Sequence, residues 1–150
     1  MKFNFHWNET QDTQQIDLIS HPNNKLFLQS IEMHFNKEHT LVVTHPSNGR
    51  NQVIQVKEIE AIEALGHLSK VILQNQESYF YPKRLKELAF LEEFDLYQIN
   101  QSTLINLKEV HLFQTEKHAR IEIITKSHQH YMVSRHYAKT IKERLLCSNN

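Results

Sequence analysis

Short apolar runs, each closed by a polar turn, recur along most of this chain and limit the folds open to it. Leu41–Thr44, Asn51–Val56, Leu68–Leu73, Ser78–Tyr81, Glu109–Gln114, Arg120–Thr125 and His128–Val133 all have strand length, too short for a helix that buries one face. Turn-forming residues separate several of them, so His45–Gly49, Gln74–Glu77 and Glu116–His118 read as hairpin connections. Ile59, Ala61 and Ile62–Glu63 extend into a further strand that breaks near Gly66. Helical spacing is confined to peripheral segments. Leu85, Leu88, Ala89 and Leu91 form an apolar face over 83–93, and Tyr137, Ile141 and Leu145 do so over 136–146. A short amphipathic helix is expected over 24–37, with Asn24 available as its N-cap. Lys57–Ile59 reads as a single helical turn, and Thr103–Lys108 as a short helix or tight turn. This pattern predicts a mainly β (α+β) chain, an antiparallel sheet with short peripheral helices. No β-α-β alternation with a glycine-rich turn occurs, which excludes a nucleotide-binding sheet.

Two regions emerge. Residues 1–50 read as a small N-terminal α+β module that packs on the rest or mediates self-association. Phe3, Phe5 and Trp7 alternate with polar residues as an opening strand, and Ile16–Ser20 as a second, ahead of the helix. Residues 51–150 form the main domain. Two glycines and three prolines leave no long flexible linker. The single Cys147 excludes an internal disulfide framework. No apolar run approaches the roughly 18 residues that span a bilayer, and the polar N-terminus is no secretory signal. The expectation is a cytoplasmic protein.

Seventeen Lys and Arg balance seventeen Asp and Glu, a mild argument against a nucleic-acid partner. Distribution says more. Lys126, Arg135, Lys139, Lys142 and Arg144 face only one acid, Glu143, in the last stretch. Acids gather instead at Glu58, Glu60, Glu63 and at Glu87, Glu92, Glu93, Asp95. A neutral protein with a local basic stripe can still bind DNA.

The polar clusters Gln98–Asn106 and Val133–Tyr137 place small hydrogen-bonding side chains where apolar strands give way to a turn or helix. The strand-like runs between them allow both clusters to meet at one edge of a sheet. Asn, Gln, Ser and Arg lack nucleophile–base chemistry but suit base edges and phosphates. Asn106, after an apolar run, is expected to satisfy backbone groups within a turn. His128 and His130 share a strand face but have no third ligand nearby in sequence, so no metal or other cofactor is expected. No base stands beside a nucleophile, and an enzyme with a small-molecule substrate is not expected.

From about Gln52 to Leu146 the chain resembles the LytTR family of bacterial DNA-binding domains. Residues 56–63 resemble the family's opening "dI.yIE", Leu85–Leu88 its "tLkeLe" helix, Gln98–Asn106 its "RihrSyiVN", and Val133–Tyr137 its "vSR.y". The resemblance implies a β-sheet domain whose loops enter successive major grooves of double-stranded DNA at repeated half-sites, regulating transcription. It puts the first reading loop at His67-Leu68-Ser69-Lys70, the second at Asn100-Gln101-Ser102, and the third at Ser134-Arg135-His136. Arg135 then matches a guanine edge, and Gln101 or Asn100 an adenine. Ser69, Lys70, Ser102, His136 and Lys139 are expected on phosphates. Gln98 and Asn100 stand where the family usually carries basic residues, so two cationic contacts are missing. Residues 1–45 are too short for a receiver domain, so a stand-alone regulator acting as a homodimer is expected, and the resemblance suggests a small membrane protein as a partner. The rival reading is a protein-interaction module on the same fold that has lost DNA binding.

Overall fold

Strand pairing organises almost all of the chain after Glu38. The computed structural model describes residues 1–13, 15–35 and 39–147. By internal contacts the chain divides into two compact units, Met1–Lys37 and Glu38–Asn150.

The larger unit holds two antiparallel sheets. The first has seven strands: β1 (Thr40–Thr44), β2 (Asn51–Gln55), β3 (Ile59–Leu65), β4 (Leu68–Leu73), β5 (Ser78–Tyr81), β6 (Leu96–Asn100) and β7 (Thr103–Asn106). Their order across the sheet is β2-β1-β5-β4-β3-β7-β6. The second has three: β8 (Val110–Thr115), β9 (Ile121–Thr125) and β10 (His130–Val133), with β9 central. Helix α2 (Arg135–Cys147) follows β10 and buries Ala138, Ile141 and Leu145, the i, i+3, i+7 stripe of an amphipathic helix. The expected helix over 83–93 is a 3-10 helix at Leu85–Phe94 that buries Leu85, Leu88 and Leu91. The expected helical turn at Lys57–Ile59 lies at Val56–Glu58, also 3-10.

Two cores result. Leu41, Val43, Ile54, Ile62, Val71, Leu88, Leu96 and Leu104 belong to one; Ile99, Ile105, Ile121, Ile123, Val133 and Ile141 to the other. Strands β6 and β7 serve both, because successive side chains on a strand point to opposite faces. Leu96 and Leu104 enter the first core, Ile99 and Ile105 the second. This double burial corrects the expected helix or turn at Thr103–Lys108. All four residues of β7 are buried, so the polar alternation that marks a half-exposed strand is missing there. Only Leu107–Glu109 forms a helical turn.

Glu60 links the two layers from within. It is almost fully buried, with one carboxylate oxygen accepting from Gln76 Nε2 and the other from Ser127 Oγ at 2.6 Å. Gln76 Nε2 also reaches Ser127 Oγ at 3.1 Å. A buried carboxylate is tolerable only with such partners.

The expected boundary near residue 50 falls inside the larger compact unit. β1 pairs along its full length with β2, from Thr40 opposite Gln55 to Thr44 opposite Asn51, so residues from Thr40 onward belong to the sheet. The expected α+β character of the first residues also needs correcting. Among the described residues of the smaller unit, no strand forms at 3–7 or 16–20. Neither segment has a neighbouring strand, and an isolated strand leaves its amides unpaired. Helix α1 runs Lys25–Phe35 after a 3-10 turn at Pro22–Asn24. Asn24 therefore lies inside that turn, and His21 Nδ1 accepts the Asn23 N–H at 3.2 Å. Residues 36 and 37 of the expected helix lie outside the described residues. No helix among the described residues is long and apolar enough to cross a membrane.

Candidate nucleic-acid interface

Strand direction decides which turns share an end of the sheet. β3 ends at Leu65, opposite Leu68 of β4, so the Gly66–His67 turn marks what is called here the upper end. Gly66 adopts a φ of +62°, a left-handed backbone that favours glycine. Asn100 of β6 pairs with Thr103 of β7, and Glu63 pairs with Thr103, which puts the Gln101–Ser102 turn at the same end. β5 also finishes there, Tyr81 lying opposite Ser69, and delivers Lys83 and Arg84.

Hydrogen bonds then fasten three corners together. The Ala64 N–H donates to Ser102 O at 2.8 Å, tying the second turn to the strand that feeds the first. The Ser134 N–H donates to Ile99 O at 2.9 Å. Asn100 Nδ2 donates to Met132 O at 3.1 Å. The end of β10 and the start of α2 are thereby held against the β6–β7 turn. These bonds tie the three polar corners together at the same end.

The expected residues divide according to what their side chains already hold. Arg135 and His136 are exposed in the first turn of α2, and Lys139 is exposed one turn further on. The first backbone N–H groups of a helix lack intrahelical partners, so this corner offers amides as well as a guanidinium to an anion. Gln101 is exposed at the tip of its turn. Ser102 is exposed there too, although its N–H and hydroxyl both donate to Asn100 Oδ1, at 2.9 and 3.1 Å. Asn100 is thus engaged at both ends of its amide and acts as the brace of the corner rather than as a free reading group. Gln98 Nε2 donates to Asn100 O at 3.0 Å. The two positions where the family pattern is basic are therefore part of the scaffold in this chain.

Ser69 does not fit its expected role. It is fully buried, and its hydroxyl donates to Lys83 O at 2.6 Å, so it cannot reach a phosphate. Lys70 is half-buried on β4, opposite Glu63 and Phe80, set back from the turn. The exposed cations at this corner are Lys83 and Arg84. The Arg84 guanidinium donates to His67 Nδ1, since arginine has no acceptor. Sequence reading missed both; the one available signal was a dibasic pair directly after a strand and a proline. Asn106 takes the structural role expected of it. Its Nδ2 donates to Ile59 O at 2.9 Å and its Oδ1 accepts the Lys108 N–H at 3.0 Å.

Glu58, Glu77, Asp95 and Glu109 sit at the lower end, where β3 and β6 begin and where the β4–β5 turn lies. Lys108 pairs with Asp95 there at 3.2 Å. Near the upper end two acids are engaged: Glu87 accepts the Arg84 N–H at 2.8 Å, and Glu116 accepts from Gln114 at 2.8 Å. Of the remaining cations, Arg144 lies over the Tyr97 ring, 5.2 Å from its centroid, a cation–π contact that fixes α2 against β6. His130 Nδ1 lies 2.8 Å from Glu122 Oε1. Glu122 is held below the usual carboxylate range by hydrogen bonds from His130 and Gln114. No group of three or more His, Cys, Asp or Glu that would hold a metal occurs among the described residues.

No curated protein matches the sequence. Among solved structures, the chain is similar to the LytTr DNA-binding domain of a proposed methyl-accepting/DNA response regulator from Bacillus cereus. The two share a TM-score of 0.63 at 15% identity, over 74% of this chain and 98% of that one, a likeness of fold. The family model for the LytTr DNA-binding domain matches residues 49–146. The chain belongs to the LytTR DNA-binding domain family.

Proposed function

We propose that this protein is a sequence-specific transcriptional regulator that reads the major groove of double-stranded DNA through the upper edge of its sheet. The convergence of three polar corners, cross-fastened by backbone and Asn100 hydrogen bonds, supports this reading most strongly. Arg135 makes the direct base contact, its guanidinium matching the two acceptors on a guanine edge. Gln101 is the second reading group, with an amide that matches adenine. His67, Lys83, Arg84, His136 and Lys139 meet phosphates and set register. A homodimer engages two half-sites, as two-fold symmetric proteins do on repeated sequences. No catalytic step belongs to this function.

Selection of bound duplexes from a random pool, using purified protein, tests the reading. The expected result is enrichment of a repeated motif containing a guanine, and loss of preference at that base in Arg135→Ala. That variant should lose about 1–3 kcal/mol of discrimination while retaining most of its affinity for random duplex. Failure to enrich any sequence would favour a protein-interaction module on the same fold, a reading to which the scaffold roles of Gln98 and Asn100 lend weight.

A further inference from the structure

The smaller unit carries a second surface that the DNA contacts do not use. Phe3, Phe5 and Trp7 are 63%, 74% and 90% exposed. The Phe5 and Trp7 rings stack with centroids 6.5 Å apart, so they lie on one side of an extended segment. Further along, Ile16, Leu18 and Leu28 line an open groove of about 500 Å³, with Lys25 and Glu32 also on its walls. Ile16, Leu18 and Ile19 are themselves largely exposed.

This is more apolar surface than a solitary unit ordinarily leaves in water. At about 150–250 Å² per aromatic side chain, the three rings and the exposed aliphatics amount to something on the order of 1,000 Å². A stable interface covers about 800 Å² on each partner, an area that ribbon and groove together reach. Phe3–Trp7 also shows period-two alternation, and neither extended segment pairs with a strand among the described residues.

We propose that a second copy of this chain covers the surface, the Phe3–Trp7 ribbon of each copy lying in the Ile16/Leu18/Leu28 groove of the other. Self-association is favoured over a foreign partner because ribbon and groove occur on the same unit. One contact is then made twice about a two-fold axis, which doubles the area buried. The polar faces are complementary as well: Lys2 and His6 alternate with the aromatic rings, and Asp17 alternates with Ile16 and Leu18. The interface gives a physical basis to the dimer in the proposed function, but it stands without DNA.

Trp7 is the sole tryptophan, so its emission reports on the ribbon directly. The full chain, without DNA, is followed by sedimentation equilibrium and by fluorescence over a dilution series. The expected result is a dimer mass, with Trp7 emission shifting to the red on dilution at the same midpoint as dissociation. Phe5→Ser and Leu28→Asp should each raise the dimer Kd at least about tenfold, as loss of a central apolar anchor does, with circular dichroism unchanged. A monomer at every concentration overturns the proposal. So does a dimer whose Trp7 emission or Kd ignores these changes, or a blue emission independent of concentration, which would mean the ribbon folds back on its own chain. None of these outcomes bears on the DNA contacts of the larger unit.

Discussion

Asn100 and Ser69 show how one type of side chain takes different work according to what surrounds it. Asn100 has an exposed turn beside it, yet its amide is fully engaged with Ser102 and Met132. Ser69 lies only two residues from the β3–β4 turn, yet its hydroxyl is sealed against Lys83 O. Arg84, in contrast, projects at the same corner. The two side chains of that corner should therefore fail differently. Ser69→Ala should lower stability by about 1 kcal/mol, the value of one hydrogen bond, and leave DNA affinity and its salt dependence unchanged. Arg84→Ala should keep stability and reduce the slope of log K against log salt by about 0.9, one phosphate contact. Denaturant melts and binding isotherms at several salt concentrations distinguish them.

Tyr131 gives a pH prediction at the same scale. Burial, and then the charges of Glu60 and Glu63, push its phenol up to about 12 from an ordinary value of 10.0. A raised folded value favours the neutral form in the native state. The associated stability is fully present below pH 10, declines as the unfolded phenol ionises, and is gone once pH passes about 12. Tyr79 is shifted the same way, chiefly by donating to Glu77. Melting temperatures should fall through this alkaline window, and Tyr131→Phe should make the fall shallower. An unchanged slope in that variant would remove Tyr131 from the explanation.

At the level of elements, β6 and β7 matter most because they divide the two cores between their faces. Ile105→Ala should cost about 2–5 kcal/mol, the range for a large-to-small change in a packed core, measured by urea unfolding. The same elements show where the sequence was legible. The β1–β2 and β4–β5 hairpins and α2 were readable because each has one wet and one dry face, so period and turn residues agree. β7 was not, because burial on both faces erases the alternation. At 3–7 the alternation is plain and 16–20 is apolar and strand-like, but a strand needs a second backbone, and neither segment pairs with one among the described residues. At the interface, Gln101, Arg135, His136 and Lys139 were readable as polar residues next to strand ends. The engagement of Ser69 and Asn100 was not, since it depends on which carbonyl lies across the fold. Lys83 and Arg84 reach the edge because β5 of that hairpin ends there, Tyr81 opposite Ser69, and which end of the sheet an exposed cation after a strand occupies has no local mark in the sequence.

For the whole molecule, equal numbers of acids and bases conceal a local cluster of cations. Lys83, Arg84, Arg135 and Lys139 are exposed at the upper end, so a duplex approaching that edge meets cations despite zero net charge. Backbone amide shifts recorded during titration with a selected duplex test this arrangement most directly. The expected changes fall at Gly66–His67, Lys83–Arg84, Gln101–Ser102 and Ser134–Lys139, with Gln74–Glu77 and Lys126–His128 at the opposite end undisturbed. Shifts concentrated at that opposite end, or confined to only one of the corners, would contradict a single reading edge.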